Sequence, residues 1–216
     1  DKSSDKIIIG YLTNLFPNYA FLTEESPDDF SRLNKDFVWI IDPLDGTKDF
    51  VAKDGEFTIN IALCHKHEIV VGVIIIPVTG DIYYATKDGG SYHRFGNVEQ
   101  RIHVNDKVTN LTCFTSVFHM NDKEKSMIEK HAGVIRKCEK LGSSIKMCYI
   151  AEGKGEISYR MSPNTKEWDT APGQLILEEA GGVMVEPNGK RITYNRKDVY
   201  NRNGYIIANR IENILI

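Results

Sequence analysis

The sequence predicts a mixed α/β fold, and three features predict it. Short β-branched and apolar runs separated by turn signals fill the stretch from Phe37 to Tyr92. After about Val108, strand-like and helix-like segments alternate. The opening residues carry apolar positions at helical spacing, with no internal repeat or low-complexity tract anywhere in the chain.

Taken in order, Ser4 to Leu15 places Ile7, Ile8, Tyr11, Leu12 and Leu15 on one helical face, with Ser3 or Ser4 as the expected cap and Pro17 preventing continuation. Phe37 to Ile41 reads as a buried strand, Phe57 to Leu63 alternates, and Ile69 to Ile76 is β-branched. A turn at Thr79-Gly80-Asp81 and another in "KDGGSY" make this half a meander of antiparallel neighbours. Further on, Asp122 to Lys130 is a charged surface helix, Ser144 to Glu152 a more apolar one, and Glu156 to Arg160 a strand. Pro172 to Ala180 reads as a helix opened by Asp169 or Thr170, with Pro172 in its first turn and Gly181-Gly182 closing it. A strand and a turn follow in "GGVMVEPNGK". The change of character divides the chain into an N-terminal α+β half, residues 1–107, and a C-terminal α/β half, residues 108–216, with no linker between them.

Composition narrows the function. Of 216 residues, 27 are Lys or Arg and 30 are Asp or Glu, so no molecule-wide positive field attracts nucleic acid or an anionic membrane. The longest apolar run, around Ile69 to Val78, is too short to span a bilayer and is interrupted by Gly72 and Pro77. The cysteines at 64, 113, 138 and 148 form no Cys-x-x-Cys pair and read as buried, reduced thiols of a cytoplasmic protein. His65 and His67 share a face but lack a third metal ligand, and no G-x-S-x-G elbow supports a serine nucleophile.

The informative stretch is "WIIDPLDGTKDF". Three carboxylates at the exit of a buried strand repel one another, so either a polar turn or a bound cation accounts for them. Pro43 biases Asp42 toward extended backbone, and a tight loop returns Asp45 beside it. Gly46 permits close backbone approach, which leaves its N–H and that of Thr47 to face an anion. Two carboxylates beside a small N–H cradle suit magnesium and phosphate, because magnesium takes few protein oxygens and keeps places for water and phosphate. Glu24-Glu25 after a short apolar stretch and Asp169 at a helix start are the other acidic candidates; singly, each reads as a solvated loop or a simple cap.

Together with "EWDTAPGQLILEEAGG", this motif resembles the lithium-sensitive, magnesium-dependent phosphatase superfamily that includes inositol monophosphatase. Within it the chain is most similar to the CysQ-type 3'(2'),5'-bisphosphate nucleotidases. The resemblance spans essentially the whole chain. It implies a layered αβαβα sandwich with the acidic residues meeting between the halves, and an opening helix that this chain lacks. It implies two or three Mg2+ ions and inhibition by Li+. Glu24, Asp42 and the Leu44 carbonyl would hold the first ion; Asp42, Asp45 and Asp169 the second. Thr47 would orient the attacking water with Asp1 or Glu24, Asp1 also serving a weaker third ion. No phosphoenzyme would form, and Asp169 would stand near the leaving oxygen.

Substrate choice rests on "KLGSSIKMCYIAEGKGEISYR" and on Lys48-Asp49-Phe50, where inositol monophosphatases typically read Thr-Asn-Phe. The resemblance places Ser143, Lys146 and Arg160 against the nucleotide, with Gly46, Thr47 and Asp169 at the scissile phosphate. A second phosphate makes electrostatic sense of the two cations. The expected reaction is hydrolysis of adenosine 3',5'-bisphosphate to AMP and phosphate, a step placed in sulfate assimilation. An inositol- or sugar-phosphate phosphatase with the same metal site, and a non-catalytic nucleotide-binding module, are the alternatives. The expected partner is a small phosphorylated nucleotide, with a homodimer open.

Overall fold

A computed structural model describes residues 1–216. Two sheets organise the chain. The first has seven strands in sequence order: β1 (Ala20–Thr23), β2 (Phe37–Asp45), β3 (Thr58–His65), β4 (Glu68–Ile76), β5 (Asp81–Thr86), β6 (Gly90–Phe95) and β7 (Val98–Ile102). All neighbours are antiparallel except β1 and β2. The second holds β8 (Leu111–Thr115), β9 (Ile135–Lys140), β10 (Ile157–Arg160), β11 (Val183–Val185) and β12 (Tyr205–Ala208), in the order β11-β12-β10-β8-β9. The first sheet ends at Ile102 and the second begins at Leu111.

Helices fill the remaining layers. On the outer face of the first sheet lies α1 (Lys2–Leu15), where Ile8, Ile9, Leu12 and Phe16 pack on Trp39, Ile41 and Leu63. Between the sheets, α4 (Ile145–Ala151) and α5 (Glu167–Glu179) form the centre of a core that takes Val38 and Ile40 from one side and Phe114 and Ile207 from the other. Thus β2 is covered on both faces, which is why its apolar run is continuous rather than alternating. Outside the second sheet, α3 (Asp122–Lys130) sets Met127 and Ile128 on Leu111, Cys113 and Ile135. The result is the five-layer αβαβα sandwich, supplemented by the short α2 (Thr47–Ala52).

Several local expectations change. Ser3 and Ser4 lie inside α1, whose cap is Asp1, without a side-chain hydrogen bond. The helix α5 opens at Glu167, three residues before Thr170, because Asp169 accepts the Lys166 backbone N–H at 2.7 Å and so closes the turn before itself. Pro172 therefore sits past the first turn. Its missing N–H frees the Trp168 carbonyl, and the Asn60 side-chain amide takes that carbonyl at 3.3 Å. The proline also marks a close approach of α5 to the sheet: a Cβ on Gly72 would lie 2.7 Å from the Pro172 carbonyl oxygen. Finally, Cys64, Cys113 and Cys148 are buried, but Cys138 is exposed; it stands on β9, an edge strand whose residues 136–138 all face solvent.

Candidate metal and phosphate site

The ladder between β2 and β3 pairs Asp42 with Asn60 and Asp45 with Thr58, so Pro43 and Leu44 oppose a single residue, Ile59. This bulge suits a proline, which has no N–H to give, and it takes the Leu44 carbonyl out of regular pairing. Immediately beyond, Gly46 adopts φ +90° and starts α2, with Thr47 as its first residue. A side chain at Gly46 would be strained there and would crowd Asp49 and Ser143.

Across the interlayer space, the first turn of α5 brings in Asp169. Asp42, Asp45 and Asp169 each offer a carboxylate oxygen, and these three oxygens lie within 4.8 Å of one another. Protein donors orient each carboxylate through one oxygen. Asp42 Oδ1 accepts the Leu44 N–H at 3.0 Å. Asp45 Oδ2 accepts from Ser144 Oγ at 2.8 Å, Thr58 Oγ1 at 3.3 Å and Asn60 Nδ2 at 3.4 Å. Asp169 Oδ2 accepts the Lys166 N–H. The second oxygen of each carries none of these bonds.

Such crowding is electrostatically costly. Burial, then Asp45, Asp169 and Glu24, raise the Asp42 carboxyl well above its usual range. Burial, then Asp45 and Glu24, push Asp169 up to about 7. A divalent cation would relieve the repulsion, and an all-oxygen donor set suits a hard ion. The residues present therefore fit such an ion, held by Asp42, Asp45 and Asp169 with the Leu44 carbonyl available beside them.

Facing this cluster is a cleft of about 590 Å³ in which only Met147 and Tyr205 are hydrophobic. Of the residues singled out in the sequence, Asp45, Gly46, Thr47, Ser143, Lys146, Arg160 and Asp169 all line it. Lys146 donates to the carbonyls of Leu141 (3.0 Å) and Ser143 (2.7 Å), and burial lowers its pKa to about 8. Arg160 donates to the His119 carbonyl at 2.8 Å. Ser143, at φ +39°, is fixed by donating to the Glu56 carbonyl at 2.8 Å. Glu24 stands close enough to bear on Asp42 and Asp169, yet its Oε1 pairs with Lys166 at 3.3 Å. Asp1 is exposed at the start of α1 and is not one of the three converging carboxylates.

Sequence reasoning passed over several participants. His119 lines the cleft near Lys48, a residue at which the sequence departs from the inositol monophosphatase text; burial and then Lys48 hold the His119 imidazole below its ordinary value. Asn60, Thr58 and Ser144 orient Asp45, and only the alternation of β3, which turns Thr58 and Asn60 to one side, hinted at two of them. Asp5 is also buried, accepting from Ser26 Oγ at 3.3 Å.

A layered sandwich with converging carboxylates beside a cleft rich in cationic side chains defines a phosphatase of the metal-dependent class. The Inositol monophosphatase family pattern matches residues 1–215, and the chain belongs to that family. Among its relatives, the 3'(2'),5'-bisphosphate nucleotidase CysQ of Salmonella typhimurium strain LT2 is 32% identical over 209 residues, covering 96% of this chain and 83% of that protein. The CysQ nucleotidase of Buchnera aphidicola subsp. Acyrthosiphon pisum is 35% identical over 199 residues, 90% of this chain and 72% of its own. The crystal structure of CysQ from Bacteroides thetaiotaomicron superposes with a TM-score of 0.86 at 34% identity, over 97% of this chain and 83% of that one.

Proposed function

We propose that this phosphatase is a 3'(2'),5'-bisphosphate nucleotidase that removes the 3'-phosphate of adenosine 3',5'-bisphosphate, giving AMP and phosphate. One observation carries the reading: a single cleft is lined both by Asp45 and Asp169 of the carboxylate cluster and by Lys48, Lys146 and Arg160. A bisphosphate needs both, since one phosphate lies at the cation-binding carboxylates while the other is met by cationic donors. The CysQ relatives support the same assignment.

In this proposal Asp42, Asp45, Asp169, the Leu44 carbonyl and Glu24 hold Mg2+. When bound, the ions would neutralise charge on the transferring phosphoryl group and acidify water. The N–H groups of Gly46 and Thr47 cradle the scissile phosphate, and the Thr47 hydroxyl aligns the attacking water, with Glu24 or Asp1 accepting its proton. Ser143, Lys146 and Arg160 fix the second phosphate, so positioning and preorganised charge supply most of the acceleration. Inhibition by Li+ and a cytoplasmic setting belong to the same proposal; no helix is long and apolar enough to cross a membrane.

The test is phosphate release in Mg2+, comparing adenosine 3',5'-bisphosphate with inositol 1-phosphate, with and without Li+. Preference for the nucleotide, suppressed by Li+, is expected. Preference for the inositol ester would overturn the substrate assignment. Tight nucleotide binding with no release from either ester would make the protein a binding module.

A further inference from the structure

Away from the cleft, two cysteines face each other across strands. In the parallel pair β8–β9, Cys113 and Cys138 are direct register partners, and the register runs unbroken from Thr112↔Lys137 to Thr115↔Lys140. Neighbouring strands lie about 4.7–4.9 Å apart, within the Cα separation of about 4.4–6.8 Å that a disulfide spans. Partners in register present their side chains to the same face, so the two sulfurs stand on one side of the sheet; the Cys113 thiol itself donates to the Phe114 carbonyl at 3.8 Å.

The two differ in access. Cys113 is wholly buried under α3, while Cys138 is exposed on the edge strand between Lys137 and Glu139, with Arg136 and Lys140 nearby in sequence. The neighbouring Cys113 sulfur lowers the Cys138 pKa to about 7, which favours the thiolate. The remaining thiols are protected: burial raises Cys64 to about 12 and Cys148 well above its ordinary value.

We propose that Cys113 and Cys138 are a peroxide-oxidised dithiol that closes to a reversible disulfide between β8 and β9 and acts on the substrate wall. The Cys138 thiolate attacks a hydroperoxide, forming S–O as O–O breaks; the leaving oxygen takes a proton and departs as water when the oxidant is hydrogen peroxide. Cys113 then attacks the sulfenic sulfur, forming S–S as S–O breaks, and its thiol proton leaves with hydroxide as a second water. Two sulfurs are oxidised by one electron each and the peroxide is reduced by two. A dithiol reductant reverses the step.

The bond would lie where it matters for substrate. Ser116, directly after β8, and Ser143, three residues after β9, both line the cleft. The strand ends are already tied, Leu141 donating its N–H to the Thr115 carbonyl at 2.9 Å and Thr115 Oγ1 to the Glu139 carbonyl at 3.3 Å. A covalent link one turn of pleat away therefore shifts both segments together.

The experiment treats the Mg2+-loaded protein with hydrogen peroxide. Denatured thiols are counted, intact mass is measured, and peptides are mapped. Expected are loss of two of the four free thiols, a mass lower by two hydrogens, and a Cys113–Cys138 cross-linked peptide that dithiothreitol releases. Cys138→Ser should keep basal activity and retain its three thiols. With adenosine 3',5'-bisphosphate as substrate, KM should change severalfold on oxidation and return on reduction. Overoxidation of Cys138 with Cys113 still reduced would overturn the proposal. A cross-link that leaves KM unchanged would overturn its action on the cleft. The thiol and mass readouts do not depend on which ester is hydrolysed.

Discussion

Replacing Asp169 by Asn should stabilise the metal-free protein and remove its response to magnesium. The carboxyl has an ordinary pKa of 3.8 and sits at about 7 in the fold, raised by burial and then by Asp45. At about 1.4 kcal/mol per pH unit, that interval corresponds to ~4 kcal/mol of penalty on the folded carboxylate at neutral pH. Asp169 is only half-buried and shares its repulsion with Asp45 and Glu24, so about 1–2 kcal/mol is the realistic gain. An acid whose pKa is raised by folding binds more protons folded than unfolded. Metal-free stability should consequently be greatest below about pH 4 for this group and fall as pH rises toward 7. Asparagine can still accept the Lys166 N–H, so the start of α5 is kept. Thermal unfolding in EDTA at pH 7.5 should show Asp169→Asn higher by about 2–6 °C. Its advantage should shrink at pH 5, and Mg2+ should raise Tm in the parent protein alone. A variant less stable than the parent in EDTA at pH 7.5 would refute the reasoning.

Other substitutions probe other parts. Arg160→Ala and Lys146→Ala should each raise KM for adenosine 3',5'-bisphosphate by about 10–100-fold, the worth of one charge-assisted contact, with a much smaller change in kcat. Equal losses on a monophosphate ester would show that these cations do not read the second phosphate. Arg32 is 1% exposed and bonds Asp28, the Asn195 Oδ1 at 2.7 Å and the Arg196 carbonyl at 2.9 Å. Arg32→Ala should cost about 2–4 kcal/mol in urea unfolding, since it leaves buried acceptors unpaired; a loss under 1 kcal/mol would contradict this. Gly72→Ala should push Pro172 and the start of α5 off the sheet, lowering stability by about 1–3 kcal/mol and weakening the Mg2+-induced Tm rise. An unchanged Tm in both conditions would remove that contact from the account.

What the sequence disclosed depended on how local the cause was. The helix α3 was legible from end to end as a charged surface run, and its start is fixed locally by a capping box, Asn121 Oδ1 accepting the Glu124 N–H at 3.0 Å and Glu124 accepting the Asn121 N–H. The strands β3 and β4 announced themselves through β-branched runs. By contrast β8 and β12 are runs of four or five residues, where period alone cannot tell strand from helix. The polar text of β9, "IRKCEK", follows from its place at an edge, which is a fact of topology. Pro172 misplaced the start of α5 because the residue that satisfies its orphaned carbonyl, Asn60, is distant in the chain. The same holds at the site: Asp42 and Asp45 are joined by a local bulge, while Ser144 and His119 become visible only when the second sheet brings them to the cleft.

The carboxylates that converge at the cleft come from β2 in the first sheet and from α5, which is packed between both. Their meeting is thus a late event in folding, since closing so long a loop must precede any reward from it. Until it happens, the chain holds two of the three at most. A divalent ion held by all three would therefore discriminate the finished molecule from every partly assembled one. Raising its concentration would selectively deepen the native well by mass action. Ion supply would then govern how long a newly made chain survives, as well as how fast it turns over.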